Sequence, residues 1–173
     1  MKKILLLFVG ISLLTSCQKE AKTAFVKTET IFKDYKGIKD QEAIFKQQQQ
    51  AFSIKYDSII KQWQTEVRDF QQKMQKMNPK QAQKRDRELY EKQLIIQQMQ
   101  EQESAQLTAE MQRKTDSIID KVYEFFDEYG KKNGYRYIYG KNNSGALMYG
   151  DSQYDITDAV LKALDSAYEA EKK

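Results

Sequence analysis

The feature that most constrains this 173-residue chain is one helical period interrupted by one proline. Phe52, Tyr56, Ile59, Trp63, Val67, Phe70, Met74 and Met77 follow one another in steps of 4, 3, 4, 4, 3, 4 and 3. The mean step is about 3.6 residues, the spacing of a single apolar stripe on a helix in the coiled-coil regime. The paired steps of four at Ile59, Trp63 and Val67 read as a local stutter. Asn78-Pro79 stops the helix, because proline disfavours the α conformation in the residue before it and suits the first position of a new helix. A second stripe then runs from about Lys80 to Lys132 through Leu89, Ile96, Met99, Leu107, Met111, Ile118, Val122, Phe125 and Tyr129. Leu94, Ile95, Ile119, Tyr123 and Phe126 broaden it, and it thins between Glu101 and Gln106, where loose packing is expected. Lys131-Lys132-Asn133-Gly134 ends it with two cations in the last turn and a glycine able to take a left-handed cap. Two helices of about 45 to 50 residues, each about 70 Å long at 1.5 Å per residue, must therefore fold back antiparallel across a tight turn.

Composition suits that hairpin and removes several chemistries. There are 21 glutamines, 31% charged residues and a single proline, as long polar helices require. No histidine is present, which excludes His-dependent catalysis and His metal ligation. One cysteine excludes an intrachain disulfide and a Cys-rich metal site. There is no Gly-rich phosphate loop and no paired carboxylate in an evident pocket, so an enzyme is the weakest reading. A formal charge of +4 is too small to argue for nucleic acid.

Residues 1–16 read as an address. Lys2 and Lys3 precede an apolar run from Ile4 to Leu14, too short to cross a bilayer but right for a secretory signal. Leu14-Thr15-Ser16-Cys17 resembles the bacterial lipobox, in which cleavage precedes a cysteine that becomes acylated. Cys17 is thus the expected lipidation site, with residues 17–23 as a tether. Several acyl chains on one residue make a stable anchor. Gln18 stands where an inner-membrane retention signal has Asp, which favours the outer membrane. Loss of the signal removes Lys2 and Lys3 and leaves 27 basic against 25 acidic residues.

The ends of the chain differ from its middle. Residues 24–36 and 133–173 are expected to form a β-rich body, with 37–132 as the helical arm. Ala24-Phe25-Val26-Lys27-Thr28 and Tyr135-Arg136-Tyr137-Ile138-Tyr139 read as strands. Ala146-Leu147-Met148-Tyr149 reads as the strand returning from an Asn/Gly-rich turn, giving three short strands. A last helix opens at Asp155 or Thr157 as N-cap and carries Val160, Leu161, Leu164 and Tyr168 on its apolar face. A sheet so small is sticky at its edges, so self-association through Phe25, Val26, Tyr135, Tyr137, Ile138, Tyr139, Leu147 and Tyr149 is expected. The fold class is α+β, mostly α.

These residues carry a family resemblance. The opening Ala24-Phe25-Val26 with Ile31-Phe32, the Gln/Lys/Glu-rich arm and the closing pattern resemble the Skp/OmpH family of periplasmic chaperones. That closing pattern is Gly134-Tyr135-x-Tyr137-Ile138, Leu147-Met148-Tyr149 and Asp155-Ile156-Thr157-x-x-Val160-Leu161. The resemblance implies trimers built on a small β-rich body, with three helical hairpins around a cavity. It implies that unfolded outer-membrane proteins are held there without ATP, metal or other cofactor. The lipobox departs from the soluble members and implies a periplasmic protein anchored in the outer membrane.

A holdase needs dispersed weak contacts rather than a catalytic residue. Phe52, Tyr56, Trp63, Phe70, Met74, Met77, Met99 and Met111 serve as arm seam or client-facing residues, Met being adaptable in shape. At the turn, Lys73, Lys76, Lys80, Lys84, Arg85 and Arg87 stand against Asp86 alone and could attract anionic lipid headgroups or acidic client segments. The competing reading is a structural or envelope-scaffold coiled-coil lipoprotein. Efflux adaptors of that kind need further domains that this chain is too short to hold.

Overall fold

Two helices of unequal length, packed side by side, set the shape of the molecule. The computed structural model describes residues 21–172, so the signal segment, Cys17 and Gln18 lie outside the described residues. Helix α2 spans Lys36–Met74 and helix α3 spans Pro79–Asn133. At 1.5 Å per residue they are about 58 and 82 Å long. Asn78 is the N-cap of α3, its side chain accepting from the Lys80 N–H at 2.9 Å, and Pro79 follows at the first helical position. At the other end Gly134 takes φ 69°, and the Tyr135 N–H reaches back to the Gly130 carbonyl at 2.9 Å, a Schellman closure.

The arm is antiparallel, as cross-contacts show: residue numbers rise on α2 as they fall on α3. Ile38 meets Ile118 and Phe45 meets Met111 around one small cavity. Lys55 and Tyr56 reach Glu103, and Glu66 takes both Arg85 and Lys92. Trp63 Nε1 donates to the Leu89 carbonyl across the seam at 3.0 Å.

The body gathers both ends of the chain at the root of the arm. Strand β1, Thr23–Lys27, runs straight into helix α1, Thr28–Asp34. Tyr35, in extended backbone, breaks α1 from α2. The Lys36 N–H, among the first free donors of α2, donates to the Asp165 carboxylate at 2.9 Å. Strand β2, Tyr137–Lys141, pairs with β1 in parallel, from Thr23 opposite Tyr137 to Lys27 opposite Lys141. The whole arm is the crossover between them. A 3₁₀ turn, Ser152–Tyr154, leads to helix α4, Thr157–Glu171.

The body holds less sheet than the sequence suggests. Residues 146–149 form no strand, so Leu147 and Tyr149 are not sheet residues. The chain curls locally instead: Asn142 Oδ1 accepts from the Ser144 N–H at 3.0 Å, and Gly145 sits at φ 84°. β2 pairs with the distant β1 rather than with its own continuation. The third strand position is only a single bridge, where the Ile156 N–H donates to the Phe25 carbonyl. Thr28, read as the end of the first strand, instead opens helix α1.

One core holds these pieces. Val26, Ile31, Tyr35, Val122, Val160 and Leu164 are buried together, one or two from each of β1, α1, the α1–α2 break, α3 and α4. Around it α4 clamps the arm root. Lys36 pairs with Glu169, Asp40 receives Tyr168 Oη and Lys172 Nζ, and Lys121 pairs with Glu171.

A polar latch joins β1 to α4. Buried Thr157 accepts the Lys27 N–H through Oγ1 at 2.9 Å and donates its hydroxyl to Asp155. Ile156 is the N-cap residue and makes no side-chain cap, but the Asp155 carboxylate does that work by accepting the Thr157 N–H at 3.0 Å. Lys27 Nζ lies 2.9 Å from Asp155. Burial alone would push this carboxyl up, yet the Thr157 hydroxyl and N–H and the Lys27 ammonium hold it below the ordinary range. A carboxyl depressed in the folded state adds stability above its unfolded value of 3.8, and that stability fades as pH falls through the folded value.

Asp155→Asn should therefore cost about 1–2 kcal/mol at pH 7. The difference from wild type in urea melts should shrink as pH drops below about 4; a pH-independent difference would remove the latch. In the arm, Trp63→Phe should cost about 1 kcal/mol by deleting the indole donor. Amide exchange should then quicken around Leu89 while the body stays protected. Uniform acceleration would mean arm and body open together.

Candidate functional site

Three surfaces can contact a partner: the flank of the arm, a groove in the body and the arm tip. Each follows from what the two-helix seam can and cannot cover.

The seam buries little along its length. Tyr56, Phe70, Leu89 and Ile96 are buried, while Phe52, Trp63, Met77 and Met111 are half-buried. Met74 and Met99, on the same sequence stripes, are about half exposed. Near the middle, Gln97, Gln100, Ser104 and Ala105 face Phe52 around an open cavity of about 610 Å³. A second cavity of about 330 Å³ lies on the other side of Phe52, beside Lys55, Glu103 and Leu107. Small and polar side chains opposite one phenyl ring cannot fill that space. A polar contact holds the seam here: Tyr56 Oη donates to Glu103 at 2.9 Å, and Lys55 pairs with the same carboxylate. Burial and then the Glu103 bond push the Tyr56 hydroxyl up, while Lys55 and Tyr56 hold Glu103 down.

Apolar side chains that the seam has no room for stand outside it. Ile54 is 70% exposed and Tyr90 61%, with Ile44, Leu94 and Ile95 about half exposed. Ile54 lies two residues from both Phe52 and Tyr56, and so off their face. An apolar residue out of phase with the stripe was its signal in the sequence, and the same applies to Ile44; neither was singled out there.

The groove in the body has a volume of about 590 Å³. Val26, Ile31, Phe126 and Ile138 wall it, with Tyr123 and Asn142 at its edge. Thr28 Oγ1 is buried there without a hydrogen-bond partner among the described residues. A Cβ on Gly140 would stand 2.8 Å from that hydroxyl, so only glycine leaves the close approach open. Thr28 and Gly140 carried no mark in the sequence.

Of the expected self-association residues, Phe25 and Val26 are buried inside the protomer. Phe25 packs directly beneath Gly150, where an added Cβ would fall 2.5 Å from its ring. Tyr135 is half-buried, stacked on Tyr129 with centroids 6.3 Å apart. Alternation along β2 turns Ile138 toward α3 and leaves Tyr137 and Tyr139 outside, stacked at 6.0 Å. Tyr137 is 56% exposed and Tyr149 78%, while Leu147 is half-buried.

At the tip the six cations separate into two sets. Arg85 binds Glu66 and Glu88, and Lys84 lies 3.8 Å from Glu88. Glu66 is held below the ordinary carboxylate range by Lys92 first and then Arg85. Among the described residues no ion pair involves Lys73, Lys76, Lys80 or Arg87. Lys80 stands in the first turn of α3, which holds no acid, at the positive end of that helix dipole. Local helix stability therefore does not account for it.

Comparison with known proteins follows the same outline. The sequence profile of the family described as "Outer membrane protein (OmpH-like)" matches residues 22–164. No curated protein matches the chain. A crystal structure of a protein from Caulobacter crescentus CB15, proposed to be an outer membrane chaperone (OmpH-like), superposes with a TM-score of 0.75. The two share 15% identity over 86% of each chain, a likeness of fold. With the profile spanning strand β1, the arm, β2 and most of α4, the chain belongs to the OmpH-like family of outer membrane proteins.

Proposed function

We propose that the protein is an ATP-independent holdase of the periplasm that shields unfolded outer-membrane proteins between its arms. The observation that carries this reading is the arm's surplus of apolar side chains. Ile54, Tyr90, Leu94, Ile95 and Met99 lie exposed on helices whose seam is open at mid-length. A surface of separated apolar side chains among glutamines offers many weak contacts and no single deep pocket, which suits a client without fixed shape. The reading requires no cofactor and no catalytic residue.

We further infer a homotrimer, with the body as its interface. Tyr137, Tyr139, Met148 and Tyr149 are exposed apolar side chains of the body. The orphan Thr28 hydroxyl in the groove would gain a hydrogen bond from an entering polar group. Three parallel arms then enclose a space, and weak binding multiplies. Cys17 acylation would hold this assembly at the outer membrane. Lys73, Lys76, Lys80 and Arg87 at the tips would draw acidic client segments by screened attraction.

Light scattering with a urea-denatured outer-membrane β-barrel protein tests this. The expected result is a mass three times that of one chain and suppression of client aggregation. Ile54→Ser, Tyr90→Ser and Leu94→Ser together should leave mass and helicity unchanged while weakening client binding roughly tenfold. Tyr137→Asp with Tyr139→Asp should lower the mass and leave helicity intact. A trimer that lets the client aggregate would favour the scaffold reading instead.

A further inference from the structure

We propose that the end of the body opposite the arm tips is a membrane-seating surface, which lies against an anionic bilayer and holds the arms pointing away from it. This rests on the lipid-anchor reading of Cys17 and adds an orientation to it.

The geometry begins with where the described chain starts. Helix α3 runs from the tip at Pro79 to Asn133, so Asn133 marks the far pole. Lys22 sits at that pole: its carbonyl accepts the Arg136 N–H at 2.8 Å, and its Nζ donates to the Asn133 carbonyl at 2.9 Å. Strand β1 then leads away from the pole, beside β2 in the same direction. Helix α4 also lies elsewhere, its end meeting Lys121 and Asp40 at the arm root. Five peptide links separate Cys17 from Lys22, a reach of at most about 18 Å. An acylated Cys17 therefore cannot lie far from this pole, whatever path the intervening residues take.

The pole carries the chemistry of a headgroup contact. Lys22, Lys131, Lys132 and Arg136 are all exposed there. Lys131 and Lys132 also suit the negative end of the α3 dipole, but Lys22 and Arg136 lie outside that helix. Lys22 Nζ rests 4.0 Å over the Tyr135 ring, an aromatic and cation together as at bilayer interfaces. Of the acids near in sequence, Asp127 and Glu128 stand one helical turn before Lys131 and Lys132, and Glu20 lies outside the described residues. Basic residues beside a lipid chain add the second signal that secures a membrane contact.

The test uses the full lipidated protein in vesicles of phosphatidylethanolamine and phosphatidylglycerol with brominated acyl chains. Trp63, the only tryptophan, sits on the arm and should not be quenched. Asn133→Trp in a Trp63→Phe background should be quenched strongly, and less so in high salt. Adding Lys131→Glu, Lys132→Glu and Arg136→Glu should at least halve that quenching while the protein still floats with the vesicles. An unquenched indole at the pole of vesicle-bound Asn133→Trp protein would overturn the seating surface and leave the anchor standing. Quenched Trp63 would overturn the orientation. If Cys17→Ser floats as wild type does, the anchor reading fails, and quenching of the pole indole retained without Cys17 would support the pole as a binding surface on its own.

Discussion

Six buried side chains at the root of the arm carry the fold, because the arm cannot hold itself. A two-helix hairpin buries one stripe per helix, and here that stripe is interrupted at mid-length by glutamine, serine and alanine. The body supplies what the hairpin lacks. Val26, Ile31, Tyr35, Val122, Val160 and Leu164 come from segments far apart in the chain, so their burial closes the ends on the middle. The parallel pairing of β1 with β2 has the same effect, since the entire arm lies between the two strands. Long-range contacts of this kind are entropically costly to form and cooperative once formed. The Asp155–Thr157–Lys27 latch then joins β1 to α4, and the α4 ion pairs reach the arm root.

Along the arm, stability follows burial. Buried Leu89 and the Trp63 indole make one crossing near the tip, and Ile38 and Ile118 pack against the core at the root. Between them stands the Phe52 region, bordered by cavities and bridged by Tyr56, Lys55 and Glu103. A polar bridge across a loose seam gives register without density. Local opening is then cheapest at the middle of the arm, where a bulky client chain would need the helices to part.

The helices, their stop and their antiparallel sense were legible because each depends on local chemistry. An apolar step of three or four, Asn78-Pro79 and Lys131-Lys132-Asn133-Gly134 act within a few residues of themselves. The sheet was not legible in the same way. Tyr135 to Tyr149 alternates around an Asn/Gly-rich turn and reads as an antiparallel hairpin, yet β2 is claimed by β1, whose approach is decided by the body core. The Asx turn at Asn142 and the left-handed Gly145 curl the chain before a return strand can form. The break at Tyr35, which separates α1 from α2, was not legible, because seven residues are too few to display a period of their own. Among the candidate site residues, the sequence marks side chains but not their direction. Phe25 and Tyr137 look alike in a strand pattern; one is buried and the other open to solvent. Thr28 and Gly140 become neighbours only through the parallel register, which no local pattern encodes.

The polarity of the arm ties its two cationic regions to different tasks. Lys73, Lys76 and Lys80 lie at one end of α3, and Lys131, Lys132, Lys22 and Arg136 at the other, about 80 Å apart by the rise of the helix. No Debye screening length at physiological salt spans that distance, so the two ends act independently. Seating the pole on one bilayer therefore places the tips beyond that bilayer's electrostatic reach. On the proposed reading, tip cations so held would meet clients in the aqueous space, and the anchor and the pole would set where that encounter happens. On the same reading, client contact at the tips and membrane contact at the pole would occupy opposite ends of one helix pair, with the open Phe52 seam between them.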